Sequence, residues 1–203
     1  MASVDEIRNL FGHKPSLPEG FRYATDIMDA AEEQALLLAL QGLPFKDFEF
    51  HGFTGKRRVV SFGWRYDFSG GGLQKTDDMP PFLLTVREKA AAFAHVAASN
   101  LQQVLVTEYR PGAAIGWHKD RSVFGVVIGV SLLSPCVFRF RRKVGPKWER
   151  ASLTIEPRCI YLLRGPSRHA WEHSIPAVEA LRYSLTFRNV LEPARIQGVA
   201  VGE

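Results

Sequence analysis

Cysteine is scarce in this chain: only Cys136 and Cys159 among 203 residues carry thiols, too few for a disulfide framework. Both stand in apolar, strand-like runs. They read as buried free thiols in a reducing compartment, the cytoplasm first, with the nucleus also compatible. Long apolar runs are missing too. None approaches the roughly 18 residues of a membrane span, and the stretch from Met1 to Pro15 is polar, of mixed charge, with no apolar signal core. Repeats, low-complexity tracts and a recognisable linker are equally absent, so we expect a single domain over 1–203. Within it we expect an extended arm (1–20), helices and a lid (21–100) and a β-rich core (101–190). Acidic residues fall slightly short of basic ones, 21 against 26. The net charge of +5 and pI near 9.4 are compatible with an anionic partner. The basic residues cluster at Lys56-Arg57-Arg58 and between Arg139 and Arg150, where Trp148 is interleaved.

The hydrophobic pattern changes along the chain. Asp29-x-x-Glu32 resembles a capping box opening a helix that Gly42 and Pro44 stop. Strands are expected at 48–52 and 59–68, then a Gly-rich mobile loop at 69–81. Leu83, Val86, Ala90, Phe93 and Ala97 recur at helical spacing and predict a helix over 82–99. From Leu101 the pattern turns to short strands, expected at 103–109, 115–120, 124–133, 136–141, 151–155, 158–163 and 181–188. Helices followed by closely spaced strands predict an α+β chain ending in a sandwich or jelly roll.

Two residues apart in extended chain, His118 and Asp120 share a face and can grip one ion. A third ligand is needed. His173 is the candidate, with His169 its competitor, and His13, His51 and His95 lack a partnering carboxylate. Two imidazoles and one carboxylate on one side of an ion leave positions open on the other, the arrangement of non-haem iron(II) oxygenases. Without spaced thiolates, a structural zinc site is disfavoured.

Further on, alternation in Arg182-Tyr183-Ser184-Leu185-Thr186-Phe187-Arg188 sends Tyr183, Leu185 and Phe187 to one face. Arg182, Ser184, Thr186 and Arg188 go to the other. That second face is either solvated or lines a cavity for an anion. Paired guanidinium groups suit a dicarboxylate. Leu105, Thr107 and Tyr109 share a face in the same way and would add hydroxyls.

Taken together, three segments carry a resemblance: Tyr109-x-Pro-Gly-x-x-Ile115-x-Trp-His118-x-Asp120, Gly165-x-Ser-Arg168-x-x-x-x-His173-Ser-Ile, and Arg182 to Arg188. In this order the chain resembles the AlkB family of dioxygenases from about Leu101 to Arg188. The resemblance implies a double-stranded β-helix (jelly roll) with N-terminal supporting helices and a substrate lid. It implies Fe(2+) on His118, Asp120 and His173, and 2-oxoglutarate as co-substrate held by Tyr109, Arg182 and Arg188. Thr107 and Ser184, where the family often has Asn, are further co-substrate candidates. No catalytic residue separate from the metal ligands is implied. The implied reaction is oxidative dealkylation of N-alkylated bases in DNA or RNA. The alternative is a same-fold oxygenase acting on a protein side chain or small molecule. Ser122 stands where repair members often carry an acidic residue. With Trp64 and Tyr66, which share a strand face, it is a candidate substrate contact. The partner expected is alkylated nucleic acid, with no membrane and no protein partner evident.

Overall fold

The capping box at Asp29 forms as the sequence suggests. The Asp29 carboxylate accepts from the Glu32 backbone N–H at 2.8 Å, and Glu32 accepts in return from the Asp29 N–H at 3.0 Å. In the computed structural model, which describes residues 17–50, 53–68 and 70–191, the helix it opens is α1 (Ala30–Gln41), closed at Gly42. The predicted arm up to residue 16 lies outside the described residues. So do His13, His51, residue 52 of the strand expected at 48–52, and residue 69 of the expected loop.

Preceding α1 is β1 (Phe21–Ala24), and following it are β2 (Lys46–Phe50), β3 (Phe53–Phe62), β4 (Trp64–Asp67) and β5 (Gly72–Lys75). The helix α2 (Pro81–Ala94) comes next. Then come β6 (Gln103–Tyr109), β7 (Ile115–His118), β8 (Phe124–Leu132), β9 (Cys136–Val144), β10 (Lys147–Ile155) and β11 (Cys159–Leu163). A single turn of helix, α3 (Pro166–His169), leads to β12 (Glu172–Ile175) and β13 (Arg182–Val190). A seven-stranded sheet runs β1-β11-β8-β13-β6-β3-β2, and a four-stranded sheet runs β10-β9-β12-β7. The pair β4-β5 stands apart. All the pairings are antiparallel.

Two cores follow from strand alternation. On the outer face of the large sheet, Tyr183, Leu185 and Phe187 join Val104, Val106, Ile128 and Leu162. There they pack against Leu36, Leu37 and Leu40 of α1 and Leu83, Val86 and Ala90 of α2. Between the sheets, Val127, Cys159, Tyr161 and Leu163 meet Phe138, Phe140, Leu153 and Ile155, with Cys136 among them. Both thiols are free and buried, as expected. Period-two alternation thus puts every other residue of one sheet into a different core, and the α+β jelly roll expected from the sequence is the fold.

Several expected elements differ. The run 59–68 is two strands, because Gly63, at φ +75°, turns the chain off the large sheet between β3 and β4. The stretch read as a loop at 69–81 carries β5, which pairs with β4 from Trp64↔Lys75 to Asp67↔Gly72. The helix expected to Ser99 stops at Ala94, where His95 takes a left-handed cap at φ 54°. Ala97 is therefore exposed rather than part of the buried stripe. The N-terminal half supplies more than supporting helices: β1, β2 and β3 all join the large sheet.

Candidate metal and co-substrate site

The ligands come from two strands and one loop. His118 ends β7, and His173 sits directly opposite it on β12, their rings 4.3 Å apart between centroids. Asp120 follows β7 by two residues. One ligand atom from each of the three lies within 4.8 Å of the others, close enough to share one ion. His169 is exposed on α3 and takes no part. Phe138 stacks on the His173 ring at 5.2 Å and 14°, fixing its plane. The Nδ1 of His118 lies 2.8 Å from the Gly116 carbonyl oxygen. Donating there leaves Nε2 as the lone-pair nitrogen.

Asp120 shows most directly that the pocket suits a cation. Its Oδ1 accepts from Arg188 Nε at 3.0 Å and Nη2 at 2.6 Å, whereas its Oδ2, buried and 3.6 Å from His173 Nε2, has no hydrogen-bond partner. A buried carboxylate oxygen without a donor is costly, and a metal ion among the three side chains would satisfy it. Burial raises the carboxyl's pKa, but the Arg188 guanidinium, the two imidazoles and Arg168 outweigh that and hold it well below the usual range. Burial also depresses His173, to about 3, and lowers His118. The set is thus two neutral imidazoles and one carboxylate, the protonation state a divalent metal requires.

The ligands face a small cavity between the two sheets. Its walls include Leu105, Thr107 and Tyr109 of β6 and Ser184, Thr186 and Arg188 of β13, so the two sequence-derived faces meet there except at Arg182, which is fully buried and does not line the cavity. The two arginines of β13 have different partners. Arg182 is fully buried; its Nε donates to Ser131 Oγ at 3.1 Å, its plane lies 5.0 Å from the Tyr109 ring, and both Nη atoms are unpartnered. Two unpartnered guanidinium nitrogens are a donor arrangement able to pair with one carboxylate. Arg188 instead clasps Asp120 and Gln103, and so orients a metal ligand.

Sequence reasoning left Arg168 without a role. Buried at 4% exposure, it donates to the carbonyl oxygens of Asp120, Arg121, Phe124 and Gly125 at 2.6–3.1 Å, clamping the loop that carries Asp120. Its acceptors lie more than 40 residues upstream, and only its place in the family motif marked it.

The substrate candidates sit outside the cavity wall. Trp64 is half-buried on β4, and Ser122 is exposed in the turn after Asp120. Tyr66 packs on Phe68 at 5.0 Å, and both rings lie under the Arg121 guanidinium at 4.8 and 5.1 Å. Phe68 meets Phe48 at 5.9 Å, and Phe48 carries Arg57 at 3.9 Å. Arg57 lines the cavity. A run of rings and guanidinium groups therefore joins the cavity wall to the residue next to Asp120. The basic hairpin is partly self-neutralised, with Arg141 on Glu172 and Arg142 on Glu149, both at 2.6 Å. Arg139 and Arg141 also cover Trp117.

Comparison with known proteins agrees with this geometry. Residues 49–188 match the family model of the 2OG-Fe(II) oxygenase superfamily. An Arabidopsis thaliana protein described as an alkylated DNA repair protein ALKBH8 homolog is 28% identical over 74% of this chain. The chain spans about half of that relative's length, 49%. A Danio rerio protein described as a probable RNA/DNA demethylase ALKBH6 is 26% identical, over 79% of this chain and 71% of its own. Among solved structures, OsALKBH1 superposes with a TM-score of 0.67 over 85% of this chain and 98% of its own, at 14% identity, a likeness of fold.

Proposed function

The chain belongs to the 2OG-Fe(II) oxygenase superfamily, as an AlkB-like dioxygenase using Fe(2+) and 2-oxoglutarate, and from that premise we propose that it oxidatively dealkylates N-alkylated bases in DNA or RNA. The observation that carries the co-substrate assignment is the pairing of two unmet demands in one region. These are the unpartnered Oδ2 of Asp120 at the metal end and the unpartnered Nη pair of Arg182. A keto acid with a second carboxylate has a chelating end for the first and an anion for the second.

In this reading His118, Asp120 and His173 hold the iron, and Arg188 and Arg168 set the direction of Asp120. Arg182 receives the far carboxylate, with Tyr109 beneath it and Thr107 and Ser184 as polar wall. The bound iron supplies dioxygen activation: one oxygen atom ends in succinate, formed with carbon dioxide from 2-oxoglutarate, and the other hydroxylates the N-alkyl carbon. The resulting hemiaminal sheds an aldehyde and leaves the N–H base. The base must leave its stack to reach the cavity, and Tyr66, under the Arg121 guanidinium, and Trp64, on the same strand β4, are where replacement stacking is available, with Ser122 beside the metal loop. The names of the relatives and the basic bias support nucleic acid.

The two free, buried cysteines support a reducing compartment, the cytoplasm first, with the nucleus also compatible. Among the described residues no helix is long and apolar enough to cross a membrane. The test measures succinate and formaldehyde release with methylated single-stranded DNA, methylated RNA and methylated peptides in parallel. Formaldehyde from oligonucleotides alone is the expected result. Release from peptides alone would replace the substrate class while leaving the oxygenase standing.

A further inference from the structure

Among the described residues lining the metal cavity only Asp120 is acidic, and it is taken up by Arg188 and the metal position. Arg57 and Arg188 are the basic ones. Arg57 has no carboxylate partner among the described residues, and its guanidinium is held flat on the Phe48 ring at 3.9 Å. The turn after Asp120 offers Arg121 and Ser122, both exposed and neither acidic. Apart from Asp120, the charged residues of the cavity wall are therefore cationic, and the Arg57 guanidinium is a charged donor there without a carboxylate partner.

Alkylated bases fall into two electrostatic classes. Alkylation of adenine at N1 or cytosine at N3 uses a ring lone pair and leaves a cation. Alkylation of guanine at N1 or uracil at N3 replaces an N–H, so the base stays neutral, with a carbonyl oxygen beside the alkylated nitrogen. A cation brought next to Arg57 meets like charge in a partly dry cavity, where repulsion is much stronger than in water. A carbonyl there accepts from the guanidinium instead, a charge-assisted hydrogen bond. Resting on the nucleic-acid reading above, we propose that Arg57 is a specificity-determining residue that makes the enzyme select neutral, carbonyl-flanked N-alkyl bases over cationic ones.

The experiment compares four oligonucleotides of one sequence, carrying N3-methyluracil, N1-methylguanine, N1-methyladenine or N3-methylcytosine. Formaldehyde release is read as kcat/KM for the wild type and for Arg57→Lys, Arg57→Gln and Arg57→Glu. The readout is the neutral-to-cationic ratio within each protein, which a loss of folded enzyme does not move. The wild type should favour the neutral pair by about tenfold or more. Arg57→Lys should keep that sense, Arg57→Gln should shrink it, and Arg57→Glu should reverse it. A wild type that favours the cationic pair, or a ratio unchanged in Arg57→Glu, overturns the role of Arg57 and leaves the dealkylase standing. Uncoupled succinate release with none of the four bases dealkylated overturns the nucleic-acid reading, and this inference with it.

Discussion

The two arginines of β13 look equivalent in sequence, sharing parity on one strand, but only Arg188 lines the cavity, while Arg182 is buried against Tyr109. Their partners divide the work. Arg182 presents unpartnered Nη atoms in full burial, whereas Arg188 is committed to Asp120, 68 residues upstream. That separation is why no local pattern could reveal the pairing, and the four carbonyl acceptors of Arg168 were hidden for the same reason. The division predicts different phenotypes. Arg182→Ala should weaken 2-oxoglutarate by about 1.5–3 kcal/mol, the scale of a charge-assisted hydrogen bond, with Mn(2+) affinity little changed. Arg188→Ala should weaken Mn(2+) as well, on the order of tenfold, because an outer partner of a metal ligand is lost. Titrating each variant with Mn(2+), then with 2-oxoglutarate, checks the split. Equal losses of both ligands in both variants would contradict it.

At the scale of elements, what the sequence made legible depended on length and on local chemistry. The capped helix α1 and strands such as β6, β8 and β13 carry enough periodic residues to declare themselves. The strand β12, which delivers His173, has four residues, Glu172 to Ile175, and exists because β9 and β7 flank it on both sides. Sheet pairing, not propensity, makes it a strand. The break at Gly63 was read straight through, yet it decides where the aromatic strand goes. Its φ of +75° is open to glycine, and a Cβ there would collide with the Gln102 carbonyl. Gly63→Ala should therefore cost more than the usual 1 kcal/mol of a glycine in the left-handed region, about 2 kcal/mol or more. It should also disturb the β4-β5 pair selectively. By comparison, Asp29→Ala removes one side of an exposed capping box and should cost about 1 kcal/mol. Urea denaturation of the two variants ranks them. A cheaper change at Gly63 than at Asp29 would mean the chain can turn there without glycine.

Across the whole molecule, the site lies where the two sheets face each other. His118 and His173 belong to the four-stranded sheet, and Asp120 hangs on the connection from β7 to β8. Arg182 and Arg188 belong to the seven-stranded sheet. Bound at the proposed residues, metal and co-substrate would bridge two layers otherwise held by the apolar filling around Phe138, Phe140 and Tyr161. A ligand that binds only the folded chain stabilises it by about 2.7 kcal/mol at 100 times its Kd. For a chain of 203 residues each kcal/mol moves Tm by roughly 2–4 °C. Mn(2+) and 2-oxoglutarate together, each at about 100 times its Kd and without turnover, should then raise Tm by roughly 10–20 °C. Hydrogen exchange should slow on β7 and β12 of one sheet and on β13 of the other. Arg182→Ala should keep the metal's share of the rise and lose the co-substrate's. His173→Ala should lose both, because the co-substrate's chelating end has no ion to meet. Protection confined to one sheet would show that the ligands do not bridge the layers, and a full Tm rise in His173→Ala would place the metal elsewhere.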